Sequence, residues 1–89
     1  MASKEIEVAI VEDYFAHVNV AAIKIMVEGI KVGDQLHFKG HTTDLVQEIN
    51  SMEIEHQPVQ EAKIGDSVGI KISEKVRIHD KVFKIIDSS

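Results

Sequence analysis

The chain contains no cysteine. A disulfide framework, a thiol nucleophile and a cysteine-ligated zinc site are therefore excluded, and the cytoplasm is the simplest compartment to expect. No apolar run approaches the roughly 20 residues of a membrane-spanning helix. The opening Met1-Ala2-Ser3-Lys4-Glu5 has no apolar signal core, so neither a membrane nor an export route is expected. Basic residues are outnumbered, 10 lysines and arginines against 15 acids, for a formal net charge of −5. A protein that holds nucleic acid chiefly through phosphates needs several cations on one face. Strong nonspecific nucleic-acid binding is not expected here, and no DNA partner is expected. None of the five glycines falls in a G-x-x-x-x-G-K-[ST] frame, the loop whose amides cradle phosphates, so the chain is expected neither to bind nor to hydrolyse GTP.

What is present is a recurring turn. Val32-Gly33-Asp34-Gln35-Leu36 is echoed by Ile64-Gly65-Asp66-Ser67-Val68 and, more loosely, by Ile78-His79-Asp80-Lys81-Val82. Each places an apolar residue before a pair suited to a tight turn and a short, largely apolar segment after it, as when one strand is handed to the next. With 89 residues, 44% of them hydrophobic and 28% charged, the chain reads as one soluble domain, 1-89, with a core spanning about 4-86.

Ile6, Val8 and Ile10 alternate with Glu5, Glu7 and Ala9, the period of a strand with one buried face, and predict a strand over 4–12. A loop over 12–17 and strands over 18–27 and 35–39 follow. Leu45 to His56 is ambiguous. Leu45, Ile49 and Met52 have helical spacing with Asp44 as a possible N-cap, yet a strand with one bulge near Asn50-Ser51 also turns Leu45, Ile49, Met52 and Ile54 inward. Gln57-Pro58 is expected to break the ladder, because proline has no amide hydrogen to donate. Further strands are expected over 67–72, 75–78 and 81–86.

The run Glu28 to Gly40, with Ala62-Lys63-Ile64-Gly65-Asp66-Ser67-Val68-Gly69-Ile70, resembles the second domain of translational GTPases such as elongation factor Tu. Lys39-Gly40-His41-Thr42-Thr43-Asp44 followed by Ser51-Met52-Glu53-Ile54-Glu55-His56 is similar to a subfamily of such barrels. Its members occur alone as small elongation-factor-like proteins, or as the C-terminal domain of collagenase-like peptidases and related RNA-modifying enzymes. The resemblance runs from about Val8 to Ile86. It implies an all-β fold, a closed six- or seven-stranded Greek-key barrel, and favours strand for Leu45 to Glu55. It also implies a non-catalytic, cofactor-free module that contacts structured RNA, the ribosome or a translation-associated protein. The alternative is a docking or scaffold module for a separately encoded peptidase-like or modifying enzyme. In the GTPases the loop after the first strand is rich in glycine and arginine. Tyr14-Phe15-Ala16-His17-Val18-Asn19-Val20 has neither, so no transfer-RNA contact is carried over.

The binding candidates are loop residues. Tyr14 and Phe15 either stack on a base or partner or fold back as a plug. Lys39, His41, Thr42 and Thr43 either bind a phosphate, sugar or peptide end, or satisfy turn amides. His17 and His56 complete the set. The five histidines, His17, His37, His41, His56 and His79, read as scattered surface residues rather than a metal site, with His41 and His56 the weaker basis for a metal or small-ligand site. No serine stands in a recognisable catalytic motif.

Overall fold

A computed structural model describes residues 3–87. It is all-β, with ten strands: β1 Ser3–Phe15, β2 Val20–Ile25, β3 Ile30–Lys31, β4 Gln35–Lys39, β5 Asp44–Glu48, β6 Met52–Ile54, β7 Gln57–Val59, β8 Glu61–Ala62, β9 Ser67–Lys71 and β10 Lys81–Asp87. Eight form one antiparallel sheet in the order β5-β4-β10-β1-β2-β9-β6-β7, and β3 pairs with β8 separately.

Alternation builds the core. Val8 and Val11 of β1, Ala21, Ile23 and Ile25 of β2, Leu36 and Phe38 of β4, and Val68 and Ile70 of β9 are all fully buried in one cluster. Two bulges in β1 let it keep this face while bending: its register shifts between Glu7 and Ala9 against β10, and between Val11 and Asp13 against β2.

The Leu45 to His56 stretch is extended, as expected, but as two strands rather than one bulged strand: β5 ends at Glu48, the chain bends at residues 49–51, β6 begins at Met52, and Glu55-His56 form the turn after it. Leu45, Ile49 and Met52 are buried and Ile54 is partly buried against the core. This bend shapes the molecule. β5 pairs with β4 at one end of the strand order, while β6 pairs with β9 near the other, and only three residues join them. The sheet therefore curls on itself. The expected closed Greek-key barrel ladder does not form among the described residues, because no main-chain ladder joins β5 to β9. At the bend, Ile49 instead exchanges main-chain hydrogen bonds with the β3–β4 turn, donating to Asp34 O at 2.8 Å and accepting from Gly33 N at 2.9 Å. The gap between β5 and the end of β9 is stitched by one side chain. Gln47 donates to the Lys71 carbonyl at 3.0 Å and accepts from the Ser73 amide at 2.8 Å.

Three local expectations need correction, and two short strands were not expected. β1 runs on to Phe15, so the first loop is confined to residues 16–19, because pairing with β2 continues through Tyr14–Ala21 and Phe15–Val20. Pro58 lies inside β7 rather than ending the ladder, since β7 is an edge strand where a missing donor costs little. Residues 75–78 form no strand; Val76 is buried there as a single anchor. β3 and β8, two residues each, carry too little sequence to announce themselves.

All three copies of the turn share one geometry. The carboxylates of Asp34, Asp66 and Asp80 accept the amides of Lys31, Lys63 and Arg77 at 2.9, 2.8 and 2.8 Å, three residues back in each case. The same aspartates donate their own amides to the carbonyls of those basic residues. The residue before each aspartate has positive φ: 100° at Gly33, 95° at Gly65 and 78° at His79. The third copy is thus a true repeat in which histidine takes a conformation that costs glycine nothing.

Candidate docking site

On the outer face of the sheet, Ala22 of β2 lies directly opposite Gly69 of β9, and Gly69 opposite Glu53 of β6. Two adjacent small residues leave a trough where larger side chains would stand. The end of β1 and the β1–β2 loop wall one side with Phe15, His17 and Val18, and the β6–β7 turn walls the other with Glu55 and His56, giving an open groove of about 640 Å³. That volume lies within the roughly 300–1,000 Å³ usual for ligand-binding clefts. Both walls are tight turns. Asn19, Glu55 and His56 have φ of 56°, 51° and 65°, and the Asn19 carbonyl accepts the Ile72 amide at 2.9 Å, which ties the first turn to the end of β9.

The sequence candidates divide between two places. Phe15, His17 and His56 line the groove. Tyr14 and Phe15, treated as a pair in the sequence, separate: Tyr14 packs against the core with its hydroxyl 3.3 Å from Asn19 Oδ1, whereas Phe15 is 42% exposed. Lys39, His41, Thr42 and Thr43 belong to the β4–β5 turn and do not line the groove. Gly40 and Thr43 exchange main-chain hydrogen bonds across that turn, Thr43 is buried, and the Lys39 ammonium lies 5.9 Å from the centre of the Phe83 ring. His41 and His56 thus stand on different features, and among the described residues no three potential ligands converge to hold a metal ion.

One polar cluster escaped sequence reasoning. His37, read there as a scattered surface histidine, is only 9% exposed on the outer face of β4. Its Nδ1 meets the Glu5 carboxylate at 2.9 Å and its Nε2 meets Asp44. Phe83 flanks it with ring centres 6.4 Å apart. Burial works against a charged imidazole, but the hydrogen bonds and negative charges of Asp44 and Glu5 outweigh it and hold His37 above its ordinary value. Glu5 and Asp44 lie 32 and 7 residues from His37 in sequence. Only the strand register brings them together. With both ring nitrogens held by carboxylates, this cluster ties β1, β4 and β5 together.

The curled all-β sheet with its bent β5–β6 segment is the fold of a peptidase C-terminal domain. The C-terminal domain of a Geobacillus thermoleovorans protein described as a U32 peptidase superposes with a TM-score of 0.81 over 88% of this chain and 90% of that one, at 17% identity. In sequence, the chain is 37% identical over 81 residues to an uncharacterized protease of Methanocaldococcus jannaschii, covering 90% of this chain and 20% of the protease. It is 32% identical over 72 residues to a collagenase of Porphyromonas gingivalis, covering 80% of this chain and 20% of that enzyme. No protein-family model matches. The chain is a homologue of a segment of collagenase-like proteases and spans about a fifth of the length of these curated relatives. The collagenase-like part of the resemblance is borne out by these relatives, whereas none of them is an elongation factor, so they lend no support to the likeness to an elongation factor Tu second domain.

Proposed function

We propose that this domain is a non-catalytic docking module for a peptidase-like protein. The observation that carries the reading is the homology itself: nine tenths of this chain matches one fifth of a protease, so the shared unit is a module within a larger machine. The geometry supports holding rather than cutting. Peptide hydrolysis needs an activated nucleophile or a metal-held water. The prominent feature of the outer face is instead an apolar groove between two braced turns. The charge distribution favours a protein partner over RNA, since Glu53 and Glu55 line that groove and none of its lining residues is lysine or arginine.

The test is calorimetric titration of the chain into a purified collagenase-like protease, with a parallel titration into transfer RNA at two salt concentrations. Saturable binding to the protease at defined stoichiometry supports the module. Binding to transfer RNA that weakens steeply with salt, with no response to the protease, refutes it.

A further inference from the structure

We infer that the groove between the β1–β2 loop and the β6–β7 turn is a peptide-docking site whose occupant is an extended segment carrying an aliphatic side chain two residues from a lysine or arginine, so that both face the groove. The inference rests on the docking reading above and deepens it by naming the surface and the chemistry of the partner segment.

The floor explains the aliphatic part. Val20 and Ala22 of β2 and Gly69 of β9 share the outer face, and the Ala22–Gly69 pair leaves the backbone itself as the base of the trough. A Cβ added at Gly69 would come within 3.3 Å of Val20 Cγ1 and 3.8 Å of the Glu53 carbonyl, so any side chain grown there enters the groove. Above this floor stand Phe15 and Val18, 42% and 45% exposed, both lining the same depression. Two large apolar side chains converging on a trough of small residues form a surface whose burial by an aliphatic group is favourable.

The rim explains the basic part. Glu53 projects beside Gly69, and Glu55 stands in the turn that closes the groove. Neither carboxylate belongs to an ion pair among the described residues. Lys24 and Lys71 lie on the same outer face, one row to either side of the Ala22–Gly69 pair, but outside the groove. The groove therefore presents negative charge next to apolar surface. A cationic side chain flanking an aliphatic one matches both, whereas a phosphate backbone meets two carboxylates.

The experiment uses the full chain and two probes, each followed by amide chemical shifts: the heptapeptide Ser-Leu-Ser-Lys-Ser-Leu-Ser, whose leucines and lysine share one face when extended, and its counterpart with glutamate in place of the lysine. The expected result is saturable shifts at Val18, Ala22, Glu53 and Gly69 with the lysine peptide, and binding about tenfold or more weaker with the glutamate peptide, equivalent to at least one decade in Kd. Val18→Ser, on an exposed loop where the fold is not at risk, and Gly69→Val, which fills the trough, should each weaken the lysine peptide severalfold. Failure of the lysine peptide to shift these amides overturns the proposal. So does equal binding of the two peptides, or self-association of the chain through the same residues. Binding of the protease that is unchanged by Val18→Ser and Gly69→Val removes the groove but leaves the docking reading standing. Peptide binding without protease binding does the reverse.

Discussion

Replacing Gln47 by alanine should open the seam of the curled sheet. Gln47 lies on the same face of β5 as Leu45, and its amide makes two hydrogen bonds to main-chain groups at the end of β9, with Lys71 at 3.0 Å and Ser73 at 2.8 Å. Among the described residues no ladder spans this gap, and these bonds link β5 to the end of β9. Each is worth about 0.5–1.5 kcal/mol net. Lys71 and Ser73 are exposed, so water can replace part of what is lost, and the lower half of the sum applies: about 1–2 kcal/mol for Gln47→Ala. In a domain of this size that corresponds to a fall in Tm of roughly 4–16 °C.

Urea denaturation gives the stability difference, and hydrogen exchange at the Ser73 amide locates it, because that proton should exchange faster in the variant. Val46→Ala is the matched control. It lies on the same strand but faces outward and half exposed, and should change stability by no more than about 0.5 kcal/mol. If Gln47→Ala matches the control, or the Ser73 amide keeps its protection, the side-chain stitch is not what joins these strands.

The repeated turns and the imidazole cluster give two further tests. Gly33→Ala adds a methyl group with no heavy atom within 4 Å, so its cost is conformational alone, about 1–2 kcal/mol in chemical denaturation, whereas His79→Gly relieves φ of 78° and should be neutral or stabilising. Comparable losses from both substitutions would mean that the third copy is not built like the first. For His37, the native pKa is raised above its unfolded value, so its contribution is fully present below the unfolded pKa and fades as pH rises through the folded one. The stability gap between the wild-type chain and His37→Gln, read from urea midpoints, should therefore be larger at pH 6 than at pH 9; a pH-independent gap refutes the ion-paired imidazole.

Much of the fold is legible in local sequence because it is dictated by local chemistry. Gly33-Asp34 and Gly65-Asp66 announce turns through residues that favour positive φ and carry a carboxylate to cap the amide three residues back. The alternation of Ile6, Val8 and Ile10 announces a strand before any neighbour is known. Non-local facts were hidden. Pro58 looks like a breaker unless β7 is known to be an edge, and no pattern in residues 44–54 tells that their bend brings the two ends of the strand order together. The site was half legible for the same reason. Phe15, His17 and His56 stand out as loop residues, but the trough between them is made by Ala22 and Gly69, which are unremarkable until the register sets them side by side. His37 was missed because its two carboxylates come from strands whose pairing the sequence does not state.

The position of Gly69 sharpens the functional reading. In a curled sheet the inner face must be filled, and here it is; the outer face needs only to be wet. A glycine in the middle of a strand loses side-chain packing and conformational entropy, a cost of about 0.5–1 kcal/mol relative to alanine. At Gly33 and Gly65 positive φ repays that cost, but Gly69 has no positive φ. What it provides is depth. A Cβ at this position points at Val20 on the groove floor, and the pairing of Gly69 with Ala22 on one side and Glu53 on the other sets the apolar base directly beside a carboxylate. A Cβ there would crowd Val20 at 3.3 Å, so the glycine eases the packing of the outer face, and the same missing side chain leaves the depth that the proposed docked segment would use. If the domain docks a partner as proposed, the outer face of β2, β9 and β6 is where that partner would be chosen.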